Sequence, residues 1–371
     1  MPDAPTEPGT ADSAGSLSSA VGRRAVADIL GQLVLRVINL GLGVFVTLVL
    51  VRTLGARGFG QWSTIFAVIQ LTGYLATFGF EQVSVRHAAA EPERAPDWVA
   101  ALLGLRLALA LPVGLLTAGL LVAIAGHGPM LAAGLITCAI FISGALSASR
   151  VVFQLRTRND VNAAFELANG ILWAAAVGGL AIVHGGLVPF AIAFVLTTWI
   201  PVLVQAALAL RRLRPRLTGW RVHGRELIRA GVPVGISSLL IIAYARIDQV
   251  IVFELAGAKA AGLYGADYRI LDRLQAVPET FMVTLFPLIS GLYPADLGQV
   301  RALVTRALEV LAMISLPILA FTLIVPRRLV VLLFGHAFAG AAPGLPILMA
   351  AFVLIAFGHV TGYLIIVLRL Q

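Results

Sequence analysis

The sequence predicts an all-α, polytopic membrane protein with about ten transmembrane helices. Three observations carry this. Of 371 residues, 59% are apolar and 12% are charged, about half the ~25% charge of an ordinary soluble domain. Mean hydropathy is +0.95, more apolar surface than one soluble core of this size can enclose. The apolar residues also fall into runs of about 20 or more, the length that crosses a ~30 Å hydrocarbon layer at ~1.5 Å per residue. Together these features exclude a disordered chain, a disulfide scaffold and an ordinary cytosolic enzyme. The runs are too long, and too uniformly apolar, for the alternating strands of a membrane barrel.

Residues 1–24 begin the chain with a stretch rich in Ser, Ala, Pro, Thr and Gly, which predicts a disordered cytoplasmic tail. A signal peptide is excluded because a long polar stretch precedes Arg23 and Arg24 and the next run exceeds the apolar segment of a signal. Six runs follow, at 29–50, 62–80, 98–125, 130–153, 161–183 and 187–210. They predict a six-helix lobe over 25–210. Residues 211–226 are strongly basic and form a cytoplasmic linker. Runs at 227–255, 261–292, 303–325 and 345–368 give a second lobe over 227–371 with four helices. Pro112, Pro233, Pro278, Pro287 and Pro317 lie inside runs, where membrane helices accept proline with a kink.

The eighth run carries Asp267, Arg269, Asp272 and Arg273, and hydropathy alone would miss it. At about 100° per residue, Leu263, Ile270, Leu271, Leu274 and Val277 gather within about 80° of Asp267. Tyr268, Arg269, Asp272, Arg273 and Glu279 gather opposite. This is a helix with one apolar face and one wet face, and Asp267 breaks the apolar face. With the N-terminus inside, the inner side collects 17 arginines and the outer side five basic residues, Arg52, Arg57, Lys259, Arg327 and Arg328. That asymmetry predicts a cytoplasmic N-terminus. It also assigns the net charge of +9 to topology, with no nucleic acid as a partner.

The chain repeats itself. Gly55, Ala56, Gly60 and Trp62 meet Gly257, Ala258, Gly262 and Tyr264 under a shift of 202. Both segments follow the first span of a presumed six-helix half. An even number of spans keeps both halves in one orientation, so they form parallel repeats about an axis along the membrane normal.

Residues 50–89 (LVRTLGARGFGQWSTIFAVIQLTGYLATFGFEQVSVRHAA), 245–290 (ARIDQVIVFELAGAKAAGLYGADYRILDRLQAVPETFMVTLFPLIS) and 330–348 (VVLLFGHAFAGAAPGLPIL) resemble the polysaccharide and O-antigen flippase family of the multidrug/oligosaccharidyl-lipid/polysaccharide exporter superfamily. The resemblance spans roughly 26–368. It implies two lobes around a central cavity, and transport of undecaprenyl-diphosphate-linked oligosaccharide from the inner to the outer leaflet of a bacterial plasma membrane by alternating access. It implies lipid-linked oligosaccharide and membrane lipids as partners, with a polysaccharide polymerase and glycosyltransferases alongside. Members of the family carry more spans than the ten runs found here, so the second lobe reads as truncated and the chain as a fragment.

A diphosphate crossing a bilayer needs compensating positive charge, and arginine matches phosphate geometry with paired hydrogen bonds. Arginines within or at the end of spans are therefore the candidate substrate-binding residues: Arg36, Arg52, Arg246, Arg269 and Arg273. By position, the resemblance implies a diphosphate-binding role for Arg36, Arg246, Arg269 and Arg273. Arg106, nearer the inner end of its span, is expected to extend its charge toward the interface. Asp248, Asp267, Asp272 and Glu279 are candidates for proton or sodium coupling, the alternative for each being a partner for a nearby arginine. Glu81 and Arg86 are expected to pair. Cys138 is the only cysteine, and a buried inert thiol is the expected reading. The six histidines lack metal spacing, and no phosphate-binding glycine loop occurs. No cofactor, metal or enzymatic activity is therefore expected. A cation-coupled multidrug exporter of the same superfamily and a membrane glycan polymerase or transferase remain the alternatives. The first should have an apolar or acidic cavity, and the second an outer catalytic loop.

Overall fold

The computed structural model describes the backbone of residues 11–156, 159–213 and 219–368, and the side chains of 35, 37–156, 159–212 and 223–368. Of the expected tail, residues 1–10 lie outside the described residues, as do 214–218 of the linker. The protein is all-helical, with no strand among the described residues. Its helices are α1 (Ala11–Thr77), α2 (Phe80–Ala90), α3 (Ala95–Ala125), α4 (Pro129–Thr137), α5 (Ile140–Leu146), α6 (Val151–Gln154), α7 (Asn159–Ile182), α8 (Leu187–Leu213), α9 (Gly219–Leu292), α10 (Leu297–Ile324), α11 (Pro326–Phe334) and α12 (Leu345–Val367).

Eight helical stretches among the described residues are long and apolar enough to cross a membrane. Two of them, 37–90 and 223–292, hold 54 and 70 residues. Straight, they would extend about 80 and 105 Å, far beyond one bilayer. Each is instead broken at a glycine: Gly55 in α1 (φ 63°, ψ 179°) and Gly257 in α9 (φ 81°, ψ 174°). Only glycine takes these angles cheaply. Thr47 and Phe66, on opposite sides of Gly55, line one cavity, whereas a straight helix would hold them about 28 Å apart. Both long elements therefore supply two passes, and the eight stretches give the ten expected from the sequence.

The eighth run folds as its periodicity predicts. Leu271 is buried and Leu263, Ile270 and Leu274 pack on the main apolar cluster, while Tyr268, Arg269 and Asp272 line a cavity. The run at 130–153 is less regular than expected. It is divided into α4, α5, a 3-10 turn at 147–150 and α6, and Cys138, at the first division, is half-buried.

The main core passes between the two halves at the Gly55/Gly257 end. Phe59 meets Phe338 edge-on at 6.3 Å, and Val330, Phe334 and Leu345 continue the same cluster. A second cluster, around Trp98, Phe80, Phe153 and Leu227, lies at the other end of these helices. The outer faces carry apolar side chains such as Leu111, Leu115, Ile182 and Leu255, exposed by 64–84%. A soluble monomer does not present such a belt, and the protein is a multi-pass membrane protein.

Candidate functional site

The two bent helices enclose the site. α1 contributes Asn39, Gly43, Val46, Thr47 and Leu50 from one side of its break, positions spaced to share one helical face. It contributes Trp62, Phe66 and Gln70 from the other. α9 supplies Arg269 and Arg273, four residues apart and also on one face. α7 and α8 close the wall with Trp173 and Phe194. The cavity holds about 220 Å³ and opens to the outside, with Arg273 exposed within it.

The charge pattern of this cavity is one-sided. Arg269 and Arg273 line it, and among the described residues no aspartate or glutamate does. Two carboxylates of an adjoining cleft are engaged by other groups. Asp272 Oδ2 lies 3.2 Å from Nη1 of Arg246, and Nε of Arg246 donates to Oε1 of Gln70 at 2.9 Å. The Arg246 guanidinium also lies 5.5 Å from the centre of the Tyr268 ring. Asp248 accepts from the backbone N–H of Gln249 at 2.8 Å and from the Tyr264 hydroxyl. These pairs line a narrow adjoining cleft, and Gln70 and Arg269 border both spaces.

Aromatic rings make up much of the opposite wall. Trp62 stacks on Trp173 with centroids 6.0 Å apart, and Phe194 stands edge-on to Trp62, Phe66 and Trp173. Gly43 is where Arg273 reaches α1: a Cβ there would lie 2.5 Å from Nη2 of Arg273.

The structure thus brings together Arg246, Arg269, Arg273, Asp248 and Asp272. Arg36 is placed on α1, but its side chain lies outside the described residues. Arg52 is elsewhere: its guanidinium is exposed and donates to the carbonyls of Leu332 (3.0 Å) and Leu333 (3.2 Å) at the end of α11. A helix C-terminus attracts a cation, and this one draws Arg52 away from the cavity. Glu279 is exposed and lines neither space. Asp267 points into the protein. It is 2% exposed, its Oδ1 has no hydrogen-bond partner, and Gly344 packs beside its other oxygen.

Sequence reasoning missed the aromatic wall and the amides Asn39 and Gln70. An amide inside an apolar run, Asn39 in the first and Gln70 in the second, was the available signal. It also misassigned Glu81, which does not pair with Arg86. Five residues apart on α2, the two side chains are about 140° apart around the helix. Glu81 instead receives Nε of Arg150 at 2.7 Å and Nη2 of Arg106 at 3.4 Å. Arg106 does not extend outward; its side chain is 8% exposed.

Comparison with known proteins follows this geometry. The family described as polysaccharide biosynthesis protein matches residues 49–343. No curated protein sequence matches the chain. Among solved structures, an inward-facing multidrug resistance MATE family transporter of the MOP superfamily aligns with a TM-score of 0.68, at 15% identity, over 90% of this chain and 84% of its own. An outward-facing multidrug resistance MATE family transporter of that superfamily gives 0.51, at 15% identity, over 91% and 84%. A MOP superfamily transporter from Pyrococcus furiosus, whose binding pocket of reverse polarity suggests a different function, gives 0.55, at 14% identity, over 91% and 83%. At these identities the likeness establishes the fold.

Proposed function

The chain belongs to the polysaccharide biosynthesis protein family, and from that premise we propose that it is a transporter that flips undecaprenyl-diphosphate-linked oligosaccharide across a bacterial plasma membrane, from inner to outer leaflet. The observation that carries this is the cavity that, among the described residues, has two arginines, no carboxylate and an aromatic wall. Two guanidinium groups four residues apart repel each other unless an anion lies between them, and a diphosphate fits that need with charge-assisted, paired hydrogen bonds. The π faces of Trp62, Phe66 and Trp173 suit the C–H faces of sugar rings, while Asn39 and Gln70 suit their hydroxyls. A cavity lined this way disfavours a cationic drug as cargo. The prenyl tail remains in the bilayer between the lobes.

Alternating access follows from the closed Gly55/Gly257 end. With the N-terminus cytoplasmic, that end faces outward, and the opposite end, where Phe78 and Phe80 pack on Gly231 and Gly235 of α9, faces the cytoplasm. The diphosphate is held by Arg269 and Arg273, with Arg36 retained from the sequence pattern, and rocking of the lobes then moves it outward. Arg246 serves the site by holding Gln70 and Asp272 in place. Asp267 is the foremost candidate for ion coupling, because a buried carboxylate whose Oδ1 has no hydrogen-bond partner among the described residues gains by taking up a proton or a cation, which lowers its desolvation cost.

The test is export. Arg269→Gln and Arg273→Gln are introduced into the complete gene in its host, and surface polysaccharide is measured beside membrane levels of the protein. The expected result is loss of surface polysaccharide at normal protein levels, with lipid-linked oligosaccharide accumulating inside. Unchanged export in both variants overturns the reading.

A further inference from the structure

A second arginine cluster sits beyond Gln70, past the turn at 78–79 that ends α1, toward the end opposite Gly55 and Gly257. Glu81 on α2 is shared by Arg106 of α3 and Arg150 of the 147–150 turn, at 3.4 and 2.7 Å. Two guanidinium groups therefore meet one carboxylate, and the cluster carries one surplus positive charge. Arg106 is fixed: its side chain is 8% exposed and its Nε is buried without a hydrogen-bond partner. Arg150 is not: its side chain is 42% exposed. All three line a cavity of about 450 Å³ that also includes Gln82, Ser147 and, from α9, Ser238. Gln70 borders this cavity as well as the central one, so the two share a wall.

A surplus positive charge attracts a counter-ion, and a fully compensated structural pair would need only one arginine. Glu81 takes its short contact, 2.7 Å, from Nε of Arg150 and its longer one, 3.4 Å, from Nη2 of Arg106. With Nε on Glu81, Arg150 keeps its Nη groups as further donors; the cavity it lines also carries Gln82, Ser147 and Ser238, and a neighbouring one that it borders carries Glu166. We propose that this cavity is an anion-binding vestibule that takes the diphosphate group of a prenyl diphosphate at the end opposite Gly55 and Gly257, before the group passes Gln70 to Arg269 and Arg273. The inference rests on the reading of the central site given above, and it adds a first station with Arg150 as the phosphate contact. Arg106 and Glu81 position Arg150 and set the charge of the station.

The experiment uses the purified full chain in detergent, with farnesyl diphosphate as the titrant followed by calorimetry, and inorganic pyrophosphate as a second titrant. In an Arg269→Gln/Arg273→Gln background, farnesyl diphosphate binding persists at the vestibule. Adding Arg150→Gln weakens it roughly tenfold or more, the effect of losing one charged hydrogen-bonding pair, and Arg150→Lys restores much of it. Glu81→Gln raises the surplus charge and tightens binding, a response that a purely structural salt bridge would not give. Arg150 is half in solvent, so its variants are expected to keep the elution profile and melting behaviour of the parent. Pyrophosphate binding that is equally sensitive to Arg150→Gln assigns recognition to the diphosphate itself; binding of farnesyl diphosphate alone assigns it to diphosphate and tail together. Loss of all binding in the Arg269/Arg273 background overturns the vestibule and leaves the central site standing. Absence of binding to the unmodified chain overturns both.

Discussion

Gly60 and Gly262 pack as mirror positions of one contact. A Cβ at Gly60 would sit 1.8 Å from the carbonyl oxygen of Ala258, and a Cβ at Gly262 would sit 1.7 Å from that of Ala56. Each glycine of one half lies on the alanine of the other, and both pairs obey the shift of 202 found in the sequence. Such close backbone approach is possible only for glycine, and small residues at helix contacts serve the same purpose in membranes generally. The parallel repeat is therefore a physical contact that shuts one end of the molecule.

Gly262→Ala should open that end. A methyl group cannot be accommodated without moving the carbonyl of Ala56, and overpacking of this kind costs about 1–3 kcal/mol. The expected outcome is a lower melting temperature of the purified protein and easier access of a maleimide probe to a cysteine placed at Gln61. Unchanged melting and unchanged labelling would contradict the role assigned to this contact.

Much of the fold was legible because its signals are local. Run length gave the passes, and the 100° periodicity gave the two faces of the eighth run despite its four charges. The glycine repeat marked both breaks. What was not legible depends on distance through space. Nothing adjacent to Arg52 in the sequence reveals the carbonyls of Leu332 and Leu333, some 280 positions away. Glu81 was assigned to a sequence neighbour, although its partners come from α3 and the 147–150 turn. The aromatic wall was invisible for a simpler reason: tryptophan and phenylalanine in an apolar run read as lipid-facing or core until the helices are assembled.

Arg246 and Asp272 should be energetically coupled. Each side chain is 23% exposed and they lie 3.2 Å apart. Removing one partner leaves a half-buried charge, while removing both leaves none. A double-mutant cycle with Arg246→Gln and Asp272→Asn should give a favourable coupling of about 1–2 kcal/mol, reduced from the fully buried range by the remaining exposure. Thermal melts of the four proteins check this. Additive effects would mean that Gln70, not Asp272, is the partner that matters to Arg246.

Arg52→Gln separates a clasp from a cargo contact. The guanidinium ties α1 to the C-terminal end of α11 through two carbonyls and reaches neither cavity of the site. Its loss should leave farnesyl diphosphate affinity within about twofold of the parent, well short of the tenfold expected for a phosphate contact. It should increase labelling at the closed end. A tenfold loss of affinity with unchanged labelling would return Arg52 to the substrate-binding set.

Asp267→Asn asks why a carboxylate is kept where an amide would be cheaper. The position is 2% exposed, and Oδ1 makes no hydrogen bond. If the carboxylate served packing alone, the near-isosteric amide would remove a potential charge from an apolar setting, leaving export intact and melting unchanged or raised. If it serves ion coupling, the amide neither binds and releases a proton nor balances a cation during the cycle. Melting would again be unchanged or raised, but export would fall steeply. The two roles agree on stability and diverge on transport, so surface polysaccharide and melting temperature measured on the same variant decide between them. The expected outcome is a stable protein that does not export, and normal export would remove Asp267 from the coupling candidates.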